Sequence, residues 1–515
     1  MRGRGRRPGA PGSRAGAAAG GGDDVSVLTA LARAEAVESG RAQLLTTVRH
    51  THIAARPLVL VPLALAGEAA APLAAMVGTE PSAPALLVVA NPRDRTQRFQ
   101  FVARLARTLL QYTESCSKTV DPTGTTRLRY AEAPQVLVPN RGGVEFIRLL
   151  GRSTRFRRTF GPHPVHRTVP LLGQWLTFLR ERADHPGSAM LLAMTEVLGE
   201  HWATGQSGLE DANLAALMGW IDPPPGLDGA TAAQLAEDPL RWPPAGPSTD
   251  PTFDNEILAP ALNAYARAAD PNAQSRAEAA LASALQEQLE PTWGLVWRAV
   301  ELLRARPAGA SVETRWAIDR DAFTAYHMSL AEGTALPQPR RDSAVAAAGR
   351  LDRLEREQAR YEAQRALDDP LVMAEFRLSG EAFTGVVVSA SPNRVDTSGK
   401  KAALRPHITV QTDDPVRIEP GALLVSPARL SQQAMVVSVS SVDVVLELSK
   451  GMGRSTKQPA PGSVPEVGET VTYGPVSDAY QPPGRFPSRE ETPWTHGGPP
   501  PDYQPNDTDA QEDWS

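Results

Sequence analysis

The spacing of apolar and polar positions changes several times along the chain, and each change predicts a different element. Residues 25–52, from VSVLTALARAEAVES through LLTTV, read as a helix. LVLVPLALA at 58–66 and ALLVVA at 85–90 are short apolar runs of strand type. Runs that are apolar throughout suit strands buried on both faces, as in a parallel sheet. Between 93 and 112, Phe99, Val102, Leu105, Leu109 and Tyr112 recur at helical spacing on one face, with arginines on the other. QVLVP at 135–139 is a third candidate strand, so strand and helix alternate as in a small α/β layer.

From about 165 to 335 the pattern is mostly helical. LLGQWLTFLRERA and AMLLAMTEVLGEHWA each read as an amphipathic helix. Ser207 and Glu210, three apart, form a capping box that opens another. A Pro- and Gly-rich connection covers 222–250, and helices resume at 253–269, 273–289, 291–305 and 319–331. Residues 341–369 differ in kind: charged and Ala-rich, with few apolar anchors and opposite charges at helix-neighbour spacing, as in Arg353 and Glu357. A stalk partly free of a core is expected there. After Pro370 the period shortens. FRLSGEAFTGVVVSAS, ITVQTD, LLVSPA, AMVVSVS, DVVLELS and ETVTYG are Val- and Thr-rich and separated by turn residues, which predicts a sandwich or small barrel.

The expected fold class is thus multidomain α+β: an N-terminal α/β layer, a central α-helical region, a charged helical stalk and a C-terminal small β-barrel. The expected boundaries are 25–165, 166–340, 341–372 and 373–475. A basic tail at 1–24 and a Pro-rich, acidic-ended tail at 476–515 are expected to be disordered, with Trp494 a candidate anchor for a partner.

Composition narrows the function classes. Hydrophobic residues at 41% allow most of the chain to fold, and a net charge of -5 over 515 residues leaves only local arguments for nucleic acid. The single cysteine, Cys116, excludes an internal disulfide and a Cys-based zinc cluster, and fits a reducing, cytoplasmic compartment. Its polar neighbours Glu114 and Lys118 give it no support as a nucleophile. The basic N-terminus lacks the apolar run of a secretory signal. The stretch 57–78 is about as long as a membrane span, but prolines interrupt it and Glu68 lies in its middle. A strand followed by a short helix is expected there, with no membrane segment.

Catalytic motifs are sparse, and no catalytic residue is assigned. No Gly-x4-Gly-Lys-Ser/Thr loop occurs, so ATP hydrolysis by this chain is not expected. Ser398-Gly-Lys-Lys401 and Lys450-Gly-Met-Gly-Arg-Ser-Thr-Lys457 read as exposed turns. His50 and His52, and His163 and His166, are close pairs without a nearby third ligand, so neither a metal nor a cofactor is expected. His201, Glu210 and Asp211 group functional side chains, but the capping box already accounts for Glu210. Glu68 and Asp94 sit near strand ends, where a metal-dependent nuclease would place carboxylates, without the usual acid-x-Lys pair.

The strongest local signal is RGGVEFIRLLGRSTRFRRTFGPHPVHR at 141–167. It holds seven arginines, among them Arg148, Arg152, Arg155, Arg157, Arg158 and Arg167, against the single acid Glu145. Phe156 and Phe160 are interleaved. Guanidinium groups hold phosphates bidentately and aromatic rings stack on bases, so these six arginines are the candidate nucleic-acid-binding residues. The plainer alternative is a solvated loop whose arginines pair with acids elsewhere.

The segments Phe383–Val388, Pro420–Val425, Ala434–Val439, Val444–Leu448 and Val467–Thr472, carried on the charged helix, resemble the stalk and accessory β-barrel of superfamily 1B helicases. The likeness covers residues 341–475 and no motor accompanies it. It implies an accessory protein that contacts nucleic acid beside a motor ATPase on another chain. The leading expectation is therefore a non-catalytic DNA- or RNA-binding, helicase-associated protein. A metal-dependent nuclease in the α/β layer and a structural adaptor are the alternatives.

Overall fold

The computed structural model describes residues 26–68, 71–116, 119–120, 129–239, 241–335, 344–398, 402–479, 482–484 and 504. Most of both tails, Trp494 and Gly399–Lys401 lie outside the described residues.

Helix α1 (Val27–Ser39) ends well before residue 52, because Gly40 takes a left-handed cap with φ +65°. The apolar run at 58 forms β1 (Leu58–Ala64). Pro72–Gly78, expected as a short helix, is instead β2, antiparallel to β1. Its Ala-rich composition fits either element, and Pro72 sits where a strand tolerates it, at the first residue. β3 (Ala85–Val88) pairs antiparallel with β2, so the parallel arrangement expected from its apolar run does not hold there.

Helix α2 (Arg95–Cys116) buries all five apolar residues of its predicted face. β4 (Val136–Val138) then returns parallel to β1. α3 (Arg141–Thr154) and α4 (Thr168–Ala183) follow, and α2 and α3 both pack on α4. The second predicted helix of the central region begins as a strand, β5 (Leu191–Ala193), parallel to β4. The five-stranded sheet has the order β3-β2-β1-β4-β5.

The helices expected on either side of Pro291 are one, α5 (Pro271–Arg304), which lies against β1, β2 and β3. A helical proline forfeits only one hydrogen bond and makes one clash. Buried Leu289, Thr292 and Trp293 hold both sides of it to the body. α6 (Val312–Ala331) completes a single apolar core that runs from Ile53 to Phe323.

α7 (Ala344–Asp368) is the charged helix. Its first half is exposed, as at Leu351, but its second half is fastened to the body. Glu357 meets His185 at 2.7 Å, the Tyr361 hydroxyl donates to Glu200 at 3.0 Å, and Asp368 accepts from Ser311 N–H and hydroxyl, both at 2.9 Å. The few apolar anchors that predicted a free stalk are supplemented by these polar ones.

The chain does not enter the barrel directly. Residues 370–379 form a further helix, α8 (Pro370–Ser379). Asp369 caps it, Pro370 occupies the first turn and Gly380 ends it in a left-handed conformation. Arg377 holds Asp414 through two hydrogen bonds of 2.8 and 2.9 Å, which pins α8 to the β module.

Six antiparallel strands follow: β6 (Phe383–Ser391), β7 (His407–Gln411), β8 (Leu423–Ser426), β9 (Arg429–Val439), β10 (Asp443–Ser449) and β11 (Thr470–Tyr473). Their order is β8-β9-β10-β7-β6-β11. Val425 and Gly474 exchange backbone hydrogen bonds of 2.8 and 3.1 Å, which nearly closes the sheet into a barrel. Alternate residues point inward, and Phe383, Val410, Leu446 and Tyr473 fill the interior. The chain is thus mixed helix and sheet with a barrel-like β module.

Candidate nucleic-acid interface

The arginine segment is built on the junction of α3 and α4. Asn140 starts α3: its side-chain oxygen accepts the Gly143 N–H at 3.3 Å, and its amide donates to Gly246 O at 2.9 Å. Arg141, Glu145, Arg148 and Arg152 then fall along one stripe of the helix. Arg148 is held by Glu145 at 2.5 Å, and the side chain of Arg152 is exposed.

The end of α3 crosses α4 at very short range. A Cβ on Gly173 would lie 2.3 Å from the Arg155 backbone nitrogen, and one on Gly151 would lie 3.1 Å from Thr177 N. These two glycines set how closely the helices approach, and so where the arginine segment emerges.

The segment beyond α3 is not a loose loop. Arg155 lies over the Phe156 ring at 4.9 Å. Arg157 donates to Ser153 O at 2.9 Å and lies 5.6 Å from the Phe99 ring, while Arg95 covers the same ring at 4.6 Å. Arg95 also donates to His163 O at 3.1 Å, and buried Val165 anchors the return of the chain. The six candidate arginines therefore divide by placement. Arg148, Arg155 and Arg157 are half-buried among ring and carboxylate partners, whereas Arg152, Arg158 and Arg167 are exposed. Phe160, in the same segment, is 72% exposed.

The contacts through Phe99 and His163 join this segment to the start of α2, which sequence reasoning kept separate. Residues 93–107 add Arg93, Arg95, Arg98, Arg104 and Arg107 against the single acid Asp94. Arg98 is buried, Arg93 is paired with Glu68 at 2.9 Å, and Arg95, Arg104 and Arg107 are exposed. The signal was present as the arginine face of a predicted helix, but nothing in the sequence said which segment it would meet.

The remaining candidate residues have structural partners. His201 is wholly buried. Its Nδ1 meets Val197 O at 2.7 Å and its Nε2 accepts the His50 N–H at 3.0 Å, an arrangement that needs the neutral ring. Burial lowers its pKa to about 4. His52 is stacked on Trp316 at 4.2 Å, and burial together with Arg49 and Arg320 lowers it to about 4 as well. His166 meets the Thr168 hydroxyl at 2.8 Å at the start of α4. Glu210 completes the capping box, and Asp211 accepts from Thr204 and Gln206.

Asp94 caps α2 by accepting the Gln97 N–H at 2.8 Å, so it and the paired Glu68 are both engaged. Among the described residues no group of three or more His, Cys, Asp or Glu is placed to hold a metal ion. Burial raises the Cys116 thiol to about 11, which leaves it protonated at neutral pH. Residues 450–457 are an exposed turn, save for Met452, which plugs into the barrel core. No helix among the described residues is long and apolar enough to cross a membrane.

A polar cavity of about 270 Å³ lies between β5 and α7, lined by Arg141, Glu196, Glu200, Tyr361 and Arg365 among others. Its charges are of both signs, and Arg141 already pairs with Glu196 at 3.3 Å. The arginine face is different in that one sign prevails across two elements. No protein-family model, no curated protein and no solved structure matches this chain.

Proposed function

We propose that this chain is a non-catalytic nucleic-acid-binding protein that holds a phosphate backbone on the arginine face formed by α2 and the α3–α4 junction. The observation that supports this reading is that Arg152, Arg158, Arg167 and Phe160 of one segment are all exposed, and that exposed Arg95 of α2 donates to His163 O of the same segment. Guanidinium groups in this number attract a polyanion from solution, and the ring offers a stacking surface for an unpaired base. In this reading the α/β layer and central helices carry the face, and α7 carries the barrel as the stalk does in superfamily 1B helicases. A motor ATPase on another chain is then the expected partner.

The test is fluorescence anisotropy with labelled 20-nucleotide single- and double-stranded DNA and RNA at low salt. Binding is expected to weaken steeply as salt rises. The triple variant R152A/R158A/R167A is expected to bind at least tenfold more weakly while keeping its far-UV circular dichroism. Absence of binding at low salt, or equal binding by the variant, overturns the proposal.

A further inference from the structure

The arginine face has a candidate occupant within the same chain. Beyond Arg489 the sequence has no lysine or arginine; after Glu490 and Glu491 it carries Asp502, Asp507, Asp509, Glu512 and Asp513, with Tyr503 among these acids and Trp514 after them. Residues 93–107 and 141–167, which form the face, carry twelve arginines and two acids. The charge and aromatic content of one is therefore complementary to that of the other.

The path of the chain after the barrel is fixed as far as Gly484, which leaves the acids beyond it on a tether. After β11, Val476 is buried in a small cluster with Ala363 and Ala366 of α7 and Met373 of α8. The chain then reaches the exposed half of α7, where the Gly484 N–H donates to Asp352 at 3.4 Å. Seventeen residues, five of them proline, separate Gly484 from Asp502, and a Pro-rich tether of that length reaches up to roughly 55 Å at about 3.1 Å per residue. A ligand on a tether that can span to its site meets it intramolecularly, at a higher effective concentration than the same ligand free in solution.

We propose that the acidic stretch Asp502–Asp513 docks intramolecularly on the arginine face and masks it from external polyanions. This rests on reading that face as a polyanion-binding surface. The acids take the place of phosphates, and the aromatic residues take the place of bases against Phe160. Nucleic acid gains access by displacing the stretch, so the apparent affinity of the intact chain is lower than that of the bare face.

Two titrations test it. In the first, a fluorescein-labelled peptide of residues 500–515 is added to the full chain carrying D502N/D507N/D509N/E512Q/D513N, and to the same chain carrying R152A/R158A/R167A in addition. Salt-sensitive binding to the first and at least tenfold weaker binding to the second are expected. No binding, or binding indifferent to the three arginines, overturns the proposal. In the second, a 20-nucleotide single-stranded DNA is expected to bind the neutralised chain at least tenfold more tightly than the unaltered one. Equal measurable affinity of the two chains overturns the masking. Arginine-dependent peptide binding with no DNA binding by either chain leaves the intramolecular contact standing and rejects the nucleic-acid reading instead.

Discussion

The carboxylate of Asp369 accepts both the backbone N–H and the hydroxyl of Thr47, at 2.7 and 2.9 Å, across 322 residues of sequence. The same carboxylate accepts the Val48 N–H at 3.3 Å and the Leu371 N–H at 2.9 Å, and lies 3.4 Å from His50 Nε2. One buried side chain thereby caps α8 and fastens the base of the barrel to the α/β body. Replacing it with Ala takes the acceptor from several part-buried donors at once. We expect Asp369→Ala to cost on the order of 3–5 kcal/mol and Asp369→Asn, which keeps an acceptor, less. Urea unfolding of the two variants measures the difference.

Acid sensitivity should come from histidine before it comes from this carboxylate. Burial opposes the ionisation of Asp369, but the nearby His50 ring and the hydrogen bonds from Leu371 and Thr47 outweigh it and hold the group well below the usual carboxylate range. Its contribution is complete above the unfolded value of about 3.9 and is lost only as the pH falls below that. His52 and His201 have folded values of about 4, below the ordinary 6.5. As the pH drops from about 6.5 towards 4, the unfolded chain takes up protons that the folded chain refuses, so stability falls. Urea midpoints at pH 7.5 and 4.5 are expected to differ accordingly. His52→Phe, which keeps the stack on Trp316, is expected to reduce the difference.

Gly173 connects packing to binding. A methyl group there would meet the Arg155 backbone at 2.3 and 2.5 Å, so the α3–α4 crossing must open to admit it. Gly173→Ala is expected to destabilise the protein by about 1–3 kcal/mol, as overpacking does. It is also expected to weaken DNA binding at temperatures where the variant remains folded, because Arg155 and the arginines after it shift together. Thermal unfolding and anisotropy on the same sample separate the two effects.

Salt dependence distinguishes backbone contact from a nonspecific loss of affinity. Each exposed arginine that neutralises a phosphate contributes close to one unit to the slope of log K against log salt. Arg152→Ala, Arg158→Ala and Arg167→Ala should each flatten that slope. Arg148→Ala, which removes a half-buried side chain beside Glu145, should flatten it less. A salt titration of each single variant reads this directly.

Much of this architecture was legible because its patterns are local. The face of α2, the capping box at Ser207 and the six strands of the barrel follow from spacing alone. Short or composition-ambiguous elements were not so readable. PLAAMVG has the alanines of a helix and becomes a strand because β1 and β3 are there to pair with it. LLA at 191–193 was absorbed into a helical reading because three residues carry no period of their own. α8 was missed although its signals, Asp-Pro at one end and Ser-Gly at the other, stand in the sequence. For the arginine segment the residue types were legible. Their division into packed and exposed groups was not, since it depends on Phe99 and Gly173 in other helices.

The pair of hydrogen bonds between Val425 and Gly474 has a consequence for how the β module meets other molecules. A flat sheet of six strands offers two rows of unsatisfied N–H and C=O groups, and such rows recruit strands from neighbouring chains. Where β8 meets the end of β11, this pair satisfies part of each row within the module. Self-association by strand addition is thereby disfavoured there without charged gatekeepers on either strand. A partner meeting that part of the barrel must recognise its outward side chains, such as Leu423 and Met435, which face each other across β8 and β9, rather than its backbone.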